Sequence, residues 1–67
     1  MSSFNEANQV RLMLKMKLSQ YAWYNSCGVF SMDDGFGVVI SSSIIDNQVR
    51  KLVPPVINGV SVKVELE

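Results

Sequence analysis

The sequence has no histidine and a single cysteine, Cys27, among its 67 residues. Without histidine, Ser-His-Asp and Cys-His catalysis and every His-containing metal site are excluded. One cysteine can neither close an internal disulfide nor build a thiolate zinc site. Net charge is absent as well: six Lys+Arg face six Asp+Glu. This removes the usual electrostatic basis for nucleic-acid binding. Long apolar runs are missing too; the longest, Phe36 to Ile40 with Gly37 inside it, is far short of a membrane span. The first residues, Met1 to Glu6, show neither a basic n-region nor an apolar h-region, so no targeting segment is expected. A free Cys27 without such a segment fits a reducing cytoplasm.

What is present is one short, ordinarily hydrophobic chain. It is expected to form one small domain over residues 1–67. A domain of this size buries only about 60% of the surface its unfolded chain exposes. The apolar gain and the ordering entropy, roughly 1.5 kcal/mol per residue, then nearly cancel. With disulfides and ordinary metal sites excluded, oligomerisation is the common remaining device. A homodimer is therefore the default expectation.

Ser3-Phe4-Asn5-Glu6 reads as a capping box, with Ser3 and Glu6 each serving the other's amide. The helix it opens is expected to run to about Tyr24, where Asn25-Ser26-Cys27-Gly28 breaks it. Ala7, Val10, Leu14, Leu18 and Tyr21 form one apolar face. Leu12, Met16 and Trp23 form a second line on roughly the opposite side. A helix on a single sheet needs only one apolar stripe, so this second line is the candidate partner-binding surface. The competing reading places it in a core that touches the helix from two sides.

Gly28 to Met32 and Phe36 to Ser42 read as a hairpin. A three-residue Asp33-Asp34-Gly35 loop would pair Met32 with Phe36 and Phe30 with Val38, gathering the large apolar residues on one face. Ser43 then caps a short helix from Ile44 to about Val53, buried through Ile45, Val49 and Leu52. Pro54-Pro55 stops it and Asn58-Gly59 turns the chain. Val60 to Leu66 alternates as a strand with one buried face. The order α-β-β-α-β predicts an α+β fold, a two-layer sandwich with a three-stranded mixed sheet and both helices on one face. A right-handed crossover gives strand order 1-2-3, with 2-1-3 as the alternative.

The stretch from Leu52 to Val64, with Pro54-Pro55, Ile57-Asn58-Gly59 and a Val60-x-Val62-x-Val64 strand, resembles the end of certain small bacterial domains. Upstream, Cys27-Gly28-Val29, Asp34-Gly35 and Val38-Val39-Ile40 resemble their first two strands. Those domains occur alone or in front of trypsin-like peptidase domains, and the resemblance covers residues 27–66. It implies an α+β module without an assigned catalytic residue. The BON domain is the second likeness, through the same element order and Gly59-Val60-Ser61-Val62. It implies binding to lipid or polysaccharide surfaces.

The remaining chemistry-bearing residues have ordinary readings. Cys27 follows a helix C-terminus, whose dipole disfavours a thiolate, and reads as a small buried hydrophobe. Asp33 and Asp34 read as turn residues rather than paired catalytic acids or cation ligands. Ser41-Ser42-Ser43 lacks the glycines and lysine of a phosphate cradle and reads as capping. Arg11 and Lys15 share a flank that Lys17 does not, so they form no nucleic-acid platform with Tyr21, Trp23 and Tyr24. The expected function is that of a non-enzymatic protein acting by self-association or protein binding, without metal or cofactor, its dimer burying Leu12, Met16 and Trp23 or pairing an open sheet edge across subunits. The alternative is a small-ligand or lipid-surface module of BON type.

Overall fold

A computed structural model describes residues 3–67. Met1 and Ser2, where the reading of the N-terminal leader begins, lie outside the described residues. The elements are α1 (Phe4–Leu18), β1 (Tyr24–Met32), β2 (Gly35–Ser42), α2 (Asn47–Leu52), β3 (Val56–Ile57) and β4 (Val60–Leu66). The class is α+β, with a mixed sheet of four strands in the order β1-β2-β4-β3. The three-stranded expectation is corrected by β3. Asn58 (φ 51°) and Gly59 (φ 79°) both take positive φ, the backbone of a tight two-residue hairpin. That turn folds Val56 and Ile57 back onto Ser61 and Val60.

The capping box forms as read. The Ser3 hydroxyl accepts from the Glu6 amide at 3.1 Å, and the Ser3 amide donates to Glu6 Oε1 at 2.9 Å. The helix stops at Leu18, not near Tyr24. Ser19 Oγ and Gln20 Nε2 turn back to the carbonyls of Met16 and Lys17, both at 3.3 Å, satisfying the last turn locally. Beyond it, Tyr21 and Trp23 stack at 5.2 Å with planes 16° apart. Residues two apart do not face each other on a helix, so this stacking requires the helix to have ended.

The hairpin closes with a two-residue Asp33-Asp34 loop, pairing Met32 with Gly35, Phe30 with Gly37 and Val29 with Val38. The three-residue register is therefore corrected, and the large apolar residues divide between two faces. Val38 and Ile40 are fully buried, and Val29 and Cys27, which pair with them, pack against the same core. Phe30 lies on the opposite face over Gly37. A Cβ on Gly37 would stand 2.6 Å from the Phe30 ring and 2.9 Å from the Ser61 carbonyl. Only glycine lets that ring lie across β2. Lys63 then rests its ammonium 4.5 Å from the ring centroid.

The second helix also begins later than expected. The Ser42 hydroxyl donates to the Ile44 carbonyl and accepts from the Ile44 amide, holding the chain out of helix there. Asp46, not Ser43, is the cap, accepting the Val49 amide at 3.0 Å. Ile44 and Ile45 are consequently exposed, and the buried side is Val49 and Val53 with Leu52 half-buried. β2 and β4 pair in parallel, Val38 with Val62 and Ile40 with Val64. One apolar core unites Ala7, Val10, Leu14 and Leu18 of α1 with Trp23, Val38, Ile40, Val49, Val53, Val60 and Val62.

Candidate interaction surface

The face of α1 turned from the sheet carries Leu12 and Met13, each 44% exposed, and Met16, 81% exposed. Gln9 and Asn5 extend this line without charge. Glu6 and Lys17 border it on one flank, Arg11 and Lys15 on the other. Trp23 does not belong to it. The residue is 7% exposed, lies beyond the end of the helix and is part of the core. The structure thus keeps Leu12 and Met16 together and separates Trp23 from them. Met13, absent from the predicted line, borders it, three residues from Met16 on the flank toward Glu6 and Gln9. The indole N–H of Trp23 has no hydrogen-bond partner among the described residues.

The sheet offers a second surface. α1 packs mainly on β1 and β2 and barely reaches β4. Among the described residues β1 has β2 on one side and no strand on the other. The far edge of β4 is covered at its start, by β3 at Val60 and Ser61 and by the Pro55 carbonyl, which accepts from the Val62 amide at 2.8 Å. Which backbone groups of β1 face outward follows from one bond. The Ser42 carbonyl accepts from the Glu67 amide at 2.9 Å, so Ser42 and its alternates Ile40, Val38 and Phe36 turn their backbone toward β4. Ser41, Val39, Gly37 and Gly35 then bond Ser26, Gly28, Phe30 and Met32 of β1. The backbone groups of Cys27, Val29 and Ser31 are left facing the open edge.

Cys27 is half-buried where α1 meets this edge. Its Sγ accepts from the Tyr24 hydroxyl at 3.1 Å and donates to the Arg11 carbonyl at 3.6 Å. The Tyr24 pKa is pushed up to about 12, first by burial and then by the Cys27 contacts. A tyrosine held protonated and a thiol used as a donor make a structural link between helix and strand.

The other candidates stay apart. Asp33 and Asp34 are exposed at the hairpin tip. Among the described residues, no three acidic, cysteine or histidine side chains gather as a metal site. Ser43 meets Asn25 at 3.2 Å, and the serines precede the cap of α2 rather than lie at its start. A cleft of about 280 Å³ opens between α1 and the β3–β4 turn, lined by Glu6, Gln9, Val10, Met13, Asn58 and Val60. It lies just under the ~300 Å³ at which small-molecule sites begin. Its one carboxylate, Glu6, is already engaged by Ser3. No helix among the described residues is long and apolar enough to cross a membrane. Compared with family models, curated proteins and solved structures, the chain matches none, so its surfaces alone speak for its role.

Proposed function

We propose that this chain acts by contact, not catalysis, associating with itself or with another protein through the outward face of α1. The observation that carries the reading is the uncharged line of Leu12, Met13 and Met16, an apolar strip rimmed by charge. A second copy suits it. Packed antiparallel, two α1 helices bring like flanks together: Lys17 of each comes near Glu6 of the other, while Arg11 and Lys15 meet their own duplicates, a repulsion the apolar strip has to outweigh. The zero net charge of the chain adds no overall repulsion between copies.

Sedimentation velocity at rising concentration tests this. The wild-type chain is expected to shift toward a dimer, and Leu12→Glu with Met16→Glu to remain monomeric with an unchanged fold. A wild-type chain that stays monomeric at the highest concentration would overturn self-association. Binding to another protein that the same double variant leaves intact would overturn the role of this face.

A further inference from the structure

From the open edge of β1 we infer a docking site for an extended acidic segment of another protein, added to the sheet as a further strand. Cys27, Val29 and Ser31 present an unused row of backbone donors and acceptors, and β1 carries neither a charge nor a proline that would block pairing. Strand addition at such an edge draws affinity from main-chain bonds and specificity from alternate side chains.

The flank of α1 supplies the specificity. Glu6, Gln9 and Met13 line the cleft with Asn58 and Val60, so that flank of α1 faces β4 and β3. Arg11 and Lys15 lie on the opposite flank, above β1, where the Cys27 thiol meets the Arg11 carbonyl. Neither has a carboxylate within 4.0 Å among the described residues; Arg11 is half-buried with its Nε donating to Asn8 Oδ1 at 2.9 Å, and Lys15 is exposed. An added strand would carry side chains alternately up toward Arg11 and Lys15 and down beside Phe30 and Met32 on the open face. The fitting segment alternates acidic and apolar residues. A second copy fits this edge poorly: β1 brings no acid, and two-fold pairing would set Arg11 and Lys15 against their own duplicates.

The inference shares with the preceding section only the premise that the chain works by contact; its residues and its test are separate. The test is an amide NMR titration with a short blocked peptide alternating Glu and Val, with a Lys-Val peptide as control. The Glu-Val peptide is expected to shift Cys27, Val29 and Ser31 and slow their hydrogen exchange. Gly28 and Phe30, bonded to β2, keep the protection they already have. Ser31→Pro removes an outward amide and is expected to weaken binding about tenfold. Arg11→Gln with Lys15→Gln is expected to weaken it about fivefold. Should Ser31→Pro fail to fold, the two peptides and the Gln pair still decide. No response to the Glu-Val peptide at millimolar concentration overturns the proposal, as does an equal response to the Lys-Val peptide. Protection of Cys27, Val29 and Ser31 that rises with protein concentration alone assigns the edge to a second copy and also overturns it. Leu12→Gln with Met16→Gln, which removes the apolar strip without adding charge beside Lys15, leaves peptide binding unchanged, so failure at α1 and failure at β1 are read separately.

Discussion

At one edge of the sheet, β1 runs nine residues from Tyr24 to Met32 with no charge and no proline. At the other, β3 is two residues long, follows Pro54 and Pro55, and shields a β4 that carries Lys63 and Glu65. Short strands, prolines and charges are the usual means of blunting an edge. All of them stand on the β3 side. The difference teaches that edge protection here is uneven: the start of β4 is covered by the chain's own turn and its remainder carries Lys63 and Glu65, whereas β1 has neither cover nor charge.

Trp23→Glu is the largest way to break this contrast. Trp23 anchors the start of β1, with its carbonyl accepting the Ser43 amide at 2.9 Å and its ring in the core. Loss of the ring and burial of a carboxylate are expected to cost at least about 3–5 kcal/mol. Denaturant unfolding should show loss of the fold, not a folded monomer split from a dimer. Gly37→Ala comes next. Its Cβ would meet the Ser61 carbonyl as well as the Phe30 ring, and a cost of about 1–3 kcal/mol is expected in the same measurement. Gly59→Ala is smaller, about 1 kcal/mol, from a residue held at φ 79°. If it frays β3, exchange at the β4 amides that face β3 should quicken while β1 is unchanged, sharpening the contrast between edges.

The smallest effect lies at neither edge. The Ser3 amide and then the Ser3 hydroxyl hold the Glu6 carboxyl below its ordinary 4.5. A carboxylate with a lowered folded pKa stabilises fully above its unfolded value, and this is lost as pH falls through the folded value. The contribution of Glu6 is therefore present above about pH 4.5 and fades below it. Carbon-detected titration of Ser3→Ala should return Glu6 toward the ordinary value.

Much of the fold was legible because it is written in local chemistry. Ser3 and Glu6 announce the first helix, Pro54 ends the second, and the alternation from Val60 to Leu66 reads as a strand. What was not legible depends on contacts across the fold. The hairpin register turns on the Phe30 ring finding Gly37, a pairing invisible in either strand alone. The early end of α1 turns on Tyr21 stacking with Trp23, whose helical spacing to Met16 is a coincidence of counting. That miscount also put Trp23 on the candidate surface. The exposure of Leu12 and Met16 could be read, because the buried α1 positions, Ala7, Val10, Leu14 and Leu18, occupy the other side. The edge position of β1 could be read as well, since the expected order 1-2-3 puts the first strand outermost; the turn that lays β3 on the start of β4 could not.

The parallel pairing of β2 with β4 also sets an order in time. The β1–β2 hairpin closes through a two-residue loop, an event of about 1–10 μs for isolated hairpins. Val38 must wait for Val62, 24 residues further along (62 − 38). Until that long-range contact forms, β2 is itself an edge, and the nascent sheet has two unguarded sides instead of one. Val62→Ala is accordingly expected to hasten unfolding more than it slows folding, which a chevron plot resolves.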